Sequence, residues 1–351
     1  MLEDVQPILL AIVTLALALL VSFALTPLAR KLAHIVGAID DPSLDSRRMH
    51  TVPKPRLGGL AIFGGFLIAV LVFGIMDRAM IGLLLGAIVM VILGALDDIW
   101  HDKGGVHYAI KFVVQIGAAL IPVLFGLRIE FISNFLPFGD SLYIELGVWS
   151  IPATVIWIVA ITNAVNWIDG LDGLSAGVSA ISSCTLCLIA LLLFEPETAV
   201  IAAAIAGACL GFLPYNRNPS KIFMGDSGTM FLGFTLAVVS ISGLFKFYTV
   251  ISFAVPFLML GLPIFDFVFN ILRRLFTGHN PMKADRGHIH HRLIDMGFSQ
   301  KRAVAILYVM SALLGVAAVL QTLSGELRAM IFLFAAALAA AIAIGLSRKR
   351  K

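Results

Sequence analysis

Four short polar runs interrupt an otherwise apolar chain, and each carries residues that could do chemistry. In the first, Asp97 and Asp98 close a long apolar run. Adjacent carboxylates repel, so a cation, a proton or water must offset them. Mg²⁺ takes one or two carboxylates and fills its shell with phosphate oxygens and water. A magnesium site handling an anionic substrate is therefore one reading, and a hydrated helix end is the other. In the second run Asn163, Asn166, Asp169 and Asp172 follow at a spacing of three, with Gly170 and Gly173 among them. That spacing keeps the first three near one helix face, so a polar ladder descends from a span into a glycine-bearing loop. Its amides and carboxylates can bind a sugar, a base or a metal-bound water. The third run, Gly225-Asp226-Ser227-Gly228, offers another metal carboxylate beside glycines that let backbone approach phosphate. Asp226 or Ser227 can equally serve as a helix N-cap. The fourth run places His288, His290 and His291 between Arg286 and Arg292. This cationic patch suits a pyrophosphate better than Zn²⁺, because the flanking arginines disfavour a second cation. Asp266, with Asn270 and Arg273 one and two turns on, reads as a contact within its own helix.

The elements that position these runs are transmembrane helices. Of the 351 residues 60% are hydrophobic and 13% charged, and the mean hydropathy is +1.00. Soluble domains carry roughly a quarter charged residues, so a bilayer is the solvent here, and a net charge of +4 carries no implication of nucleic acid. A span needs about 20 apolar residues. Runs of that kind fall at 7–26, 57–76, 79–96, 108–126, 150–168, 174–194, 197–214, 228–245, 249–272, 303–320 and 328–346. The expectation is an all-α integral membrane protein, one polytopic domain over 1–351, with 10–11 transmembrane helices. Alternation around a Pro-Phe-Gly-Asp turn predicts a short β-hairpin near 128–146, outside the membrane. The first apolar run lacks a basic leader and reads as a retained span. Cys184, Cys187 and Cys209 lie in apolar runs and read as packing residues.

Basic residues fix the orientation. With the N-terminus outside, the inner segments are 27–56, 97–107, 163–175, 215–227, 273–302 and the C-terminal tail, and they hold twenty of the 25 Lys and Arg. All four polar runs then share the cytoplasmic face. The first inner loop carries Arg47, Arg48, Lys54 and Arg56, which anionic headgroups would attract.

Taken together, ALDD, NAVNWIDGLDGLSAG, FMGDSG and ADRGHIHHRL resemble the polyprenyl-phosphate N-acetylhexosamine-1-phosphate transferases, in their WecA/TagO-like branch and more distantly MraY. The resemblance runs from about residue 40 to 300. It implies transfer of N-acetylglucosamine-1-phosphate from UDP-N-acetylglucosamine to undecaprenyl phosphate, with release of UMP and initiation of a cell-surface polysaccharide or teichoic-acid-type polymer. It implies Mg²⁺ or Mn²⁺, a plasma-membrane location among lipids, and is compatible with a homodimer. By resemblance Asp97 and Asp98 are catalytic, and Asp98, Asp172 and Asp226 hold metal. Lys111, Asn163, Asn166, Asp169, Asp172, Arg286, His288, His290 and His291 bind substrate. Trp167 departs from the family pattern. An ion-coupled transporter is the competing reading. It would call for repeats or mid-membrane carboxylates, and no internal repeat is seen.

Overall fold

The computed structural model describes residues 6–44, 52–133, 143–244, 251–278, 287–323 and 335. Its first eight helices coincide with the first eight apolar runs: α1 (Pro7–Val36), α2 (Gly58–Phe73), α3 (Arg78–Trp100), α4 (Tyr108–Leu124), α5 (Ser150–Trp167), α6 (Leu174–Leu192), α7 (Pro196–Asn216) and α8 (Gly225–Leu244). Then come α9 (Ile251–Met259), α10 (Gly261–Phe276), the short α11 (Ile289–Asp295) and α12 (Gln300–Leu323). Six of them, α1, α3, α5, α6, α7 and α12, are long and apolar enough to cross a membrane. The chain is a multi-pass, all-α membrane protein.

Helix α7 forms the centre, and α1, α2 and α6 pack round it. Lipid tails are as apolar as leucine, so helices in a membrane associate through close backbone packing at small residues. Accordingly Gly207 and Gly211 of α7 press against the backbone of α1 at Leu15 and Leu19. Helix α8 is buried between α3 and α5. This packing brings the inner end of α3 against the start of α8, where the third polar run begins.

The ninth apolar run, expected as one span over 249–272, is broken at Leu260. The cause is local. In a continuous helix the Met259 carbonyl would accept from residue 263, which is a proline with no N–H. The Ser182 hydroxyl supplies the missing donor, 2.7 Å from Met259 O. The eleventh expected span, 328–346, lies outside the described residues apart from residue 335.

Four short strands complete the description. β1 (Ile39–Asp40) pairs antiparallel with β2 (Lys54–Pro55), and β3 (Phe131–Ser133) with β4 (Tyr143–Glu145). The turn expected between β3 and β4 lies outside the described residues. The β1–β2 ribbon and the start of α2 are stitched to the segment before α8: Phe223 N donates to Pro55 O at 2.8 Å, and Gly59 N to Met224 O at 2.8 Å.

Candidate active site

Asp97 and Asp98 stand on the last turns of α3, and their side chains diverge. Asp98 turns into the protein and is fully buried. Its Oδ1 accepts from Asp226 N at 2.8 Å, and its Oδ2 accepts from Ser227 N at 3.0 Å and the Ser227 hydroxyl at 2.8 Å. A helix start leaves N–H groups unsatisfied and carries partial positive charge; Asp98 meets both needs for α8 from a neighbouring helix. The fit depends on Gly225, whose φ is +75°, and a Cβ there would strike the Asp98 carboxylate and the Arg56 carbonyl.

Asp97 points the other way. Its Oδ1 accepts from Val106 N at 2.7 Å, and its Oδ2 pairs with Lys111 Nζ at 2.7 Å. The same ammonium lies 2.9 Å from Asp226 Oδ2, so Lys111 offsets the repulsion of the two carboxylates it joins.

Arg56 was expected at the lipid headgroups and instead turns inward. Its Nη1 donates to Asp40 Oδ2 at 2.9 Å, its Nε to Asp98 Oδ1 at 3.3 Å, and its Nη2 faces Asp226 Oδ1 at 3.6 Å. Burial alone would lower its pKa, but Asp98, Asp226 and Asp40 outweigh that and hold the guanidinium above its ordinary value. Lys54 is likewise buried. It donates to the Ser220 hydroxyl at 2.8 Å, lies 3.6 Å from Asp172 Oδ2 and sits over the Phe223 ring. The β1–β2 register explains both corrections, since it sets Lys54 opposite Asp40 and carries Arg56 in beside them. Arg47 and Arg48 lie outside the described residues.

The second polar run divides as the chain leaves α5. Asn163 and Asn166 are still helical. Asn163 Nδ2 donates to Gln115 Oε1 at 2.7 Å, and Asn166 Nδ2 to the Thr229 hydroxyl at 2.7 Å. Asp169 lies in the following loop, where burial, partly offset by Arg56, and the nearby Asp226, Asp98 and Asp172 push its carboxyl up to about 7. Both oxygens of Asp172 meet protein donors: Ser220 Oγ at 2.8 Å, Ser220 N at 3.0 Å and Asn218 Nδ2 at 2.9 Å.

The three histidines have three different surroundings. His288 Nδ1 is 2.7 Å from Asp266 Oδ2, and the same carboxylate accepts from Ile289 N at 2.8 Å, so Asp266 fixes the start of α11. Asp266 thus reaches beyond the helix-internal contact read from sequence, although Asn270 does bond to it at 3.1 Å. His290 is buried and packs so closely on Gly170 that a Cβ there would strike its ring. Burial and the neighbouring His291 lower it to about 3, against the pull of Asp266. His291 lines an open cavity. Arg286 lies outside the described residues.

Two cavities meet at this centre. One, about 510 Å³, is polar and includes Lys54, Arg56, Asp169, Asn218, Asp226 and His291 in its wall. The other, about 640 Å³, is mostly apolar, and includes Phe112, Ile116, Ile156, Trp167 and Phe267, with Lys111 at the polar end. Asn166 belongs to both, and the Lys111–Asp226 pair joins one wall to the other. Trp167 packs on Phe267, with centroids 4.8 Å apart, and meets the His288 ring edge-on. Among the described residues around the centre, Asp40, Asp97, Asp98, Asp169, Asp172 and Asp226 outnumber the cations Lys54, Arg56 and Lys111. This excess of carboxylates fits a divalent cation, and Asp226, partly exposed, lines the polar cavity together with Asp40, Asp169 and Asp172. Sequence reasoning missed Arg56, Lys54 and Gln115; the only signal for Gln115 was a lone amide four residues after Lys111 in an apolar run.

The fold and site together are those of a helical membrane bundle with a carboxylate–lysine centre between a polar cavity and an apolar groove. Residues 80–244 match the model for glycosyl transferase family 4. The chain is 39% identical over 309 residues to a probable undecaprenyl-phosphate N-acetylglucosaminyl 1-phosphate transferase of Bacillus subtilis, covering 88% of this chain and 84% of the relative. It is 33% identical over 330 residues to the decaprenyl-phosphate N-acetylglucosaminephosphotransferase of Mycobacterium tuberculosis, with 86% and 79% covered. It is also 29% identical over 296 residues to the Escherichia coli undecaprenyl-phosphate alpha-N-acetylglucosaminyl 1-phosphate transferase, with 82% and 77% covered. The chain belongs to this family, the polyprenyl-phosphate N-acetylhexosamine-1-phosphate transferases.

Proposed function

We propose that the protein transfers N-acetylglucosamine-1-phosphate from UDP-N-acetylglucosamine to undecaprenyl phosphate, releasing UMP and starting a cell-surface polymer. The observation that carries this reading is the meeting of the polar cavity and the apolar groove at Lys111 and Asp226. The polar cavity suits a nucleotide sugar, and the groove suits a polyprenyl chain whose phosphate reaches Lys111. The relatives named above support the choice of sugar and lipid. The relatives' names favour this reading over an ion-coupled transporter. The positive-inside count supports a site on the cytoplasmic face of the plasma membrane, with the N-terminus outside and the C-terminus inside.

In the reaction an oxygen of the lipid phosphate forms a bond to the β-phosphorus of the donor, and the bond from that phosphorus to the UMP oxygen breaks. Lys111 pairs with the incoming lipid phosphate and offsets its charge as it nears the donor. Asp97 holds Lys111 in place and can take the phosphate's remaining proton, although a phosphomonoester with a second pKa near 6 is already largely ionised at pH 7. Positioning and charge neutralisation therefore outweigh base strength. Asp226, with Asp97 beside it, would hold Mg²⁺ or Mn²⁺. When bound, that cation would neutralise the diphosphate and the departing UMP. Asp98 and Asp172, whose oxygens meet protein donors, would position these groups rather than ligate. His291 faces the nucleotide side, while His288 and His290 build the wall behind it.

The test is a transfer assay with purified protein, undecaprenyl phosphate and radiolabelled UDP-N-acetylglucosamine, with and without Mg²⁺. Metal-dependent label in the lipid is expected. Label transferred only from another UDP-sugar would replace the donor, and no transfer from any donor by folded protein would refute the reading.

A further inference from the structure

Arg56 is held on one side and open on the other. Asp40 and Asp98 fix Nη1 and Nε at 2.9 and 3.3 Å, and His101 Nε2 lies 3.5 Å from Nη1. Nη2 makes no hydrogen bond among the described residues. Its anionic neighbour is Asp226 Oδ1 at 3.6 Å, beyond hydrogen-bonding distance. Arg56 lines the polar cavity and is absent from the groove wall, whereas Lys111 lines the groove. A purely structural tie needs only the Asp40 and Asp98 contacts. What remains is a planar, permanently charged fork, oriented from behind, with one N–H edge beside the carboxylate at the reaction centre. Such a fork matches phosphate oxygens, and its fixed orientation means little freedom is lost on binding.

We infer that Arg56 binds the diphosphate of the nucleotide donor through Nη2, an assignment that rests on the transferase reading above. Two of the cations at the centre then divide the substrates: Lys111 serves the lipid phosphate and Arg56 the nucleotide diphosphate. The step is binding alone, with no bond made or broken on Arg56.

The experiment compares full-length wild-type protein with Arg56→Lys and Arg56→Gln by calorimetric titration with UDP and with uridine, in the presence of Mg²⁺. Losing a charge-assisted hydrogen bond to phosphate should weaken UDP binding about tenfold or more. Uridine binding should stay within about twofold, which also shows that the variants are folded. In steady-state transfer the donor KM should rise and the acceptor KM should hold. Equal weakening of UDP and uridine in both variants, or no weakening of either, would overturn the assignment. If wild-type protein transfers sugar phosphate but Arg56→Lys keeps the wild-type donor KM, only the role of Arg56 falls. If wild-type protein transfers nothing, the transferase reading falls, and this inference with it.

Discussion

The ammonium of Lys111 lies 2.9 Å from Asp226 Oδ2, and this ion pair links the wall of the apolar groove to the wall of the polar cavity. Lys111 comes from α4 and Asp226 from the first turn of α8, so the contact exists only once the bundle is packed. Replacing Lys111 with methionine keeps the stem and removes the charge. We predict a fall of about 10²-fold or more in kcat/KM for the lipid acceptor, with donor affinity nearly unchanged. Steady-state kinetics with a short-chain polyprenyl phosphate checks this. Unaltered acceptor kinetics would show that the lipid phosphate sits elsewhere.

Asp98 supports α8 from α3, and a carboxamide cannot accept all the donors that converge on it. Asp98→Asn should destabilise the protein by about 2–4 kcal/mol, read as a clear drop in the thermal midpoint in detergent. A variant that melts like wild type yet loses cation binding would make Asp98 a ligand instead of a support.

The buried His290 gives a pH signature. Its folded pKa of about 3 lies below the ordinary 6.5, so the folded state favours the neutral ring. Stability from this source is complete above pH 6.5 and is lost as pH falls toward 3. In His290→Gln the loss of thermal midpoint between pH 6.5 and 4.5 should be shallower. Parallel slopes for the two proteins would contradict the neutral, buried ring.

Asp169 has the opposite sign. Its folded pKa of about 7 lies above the ordinary 3.8, so its contribution to stability is complete below pH 3.8 and is lost as pH rises through 7. Without divalent cation, Asp169→Asn should melt above wild type by a margin that widens from pH 4 to 7 and then levels. A constant margin would remove the titration. Activity should fall in the same variant, because the wild-type carboxyl lines the donor cavity.

Much of the fold was legible because a bilayer demands long apolar helices, and α1 to α8 fall where the apolar runs placed them. The break at Leu260 was not legible. It depends on Pro263 and on a hydroxyl from Ser182, 77 residues away from the Met259 carbonyl it serves. At the site the carboxylates and histidines were visible as polar residues in apolar surroundings, where they are costly. Their division of labour was not. Whether Asp98 or Asp226 faces open space depends on helix packing across 128 residues of sequence. Arg56 was misread because a basic residue in an inner loop is ordinarily a headgroup contact, and only the β1–β2 pairing turns it inward.

The claim most central to this account is that Asp226 is the carboxylate that holds the divalent cation where both substrates meet. Electron paramagnetic resonance of Mn²⁺ added to purified protein tests it directly. Wild type and Asp172→Asn should both show bound Mn²⁺, and Asp226→Asn should show the spectrum of free ion. Bound Mn²⁺ in Asp226→Asn equal to wild type, or none in wild type, would contradict the account.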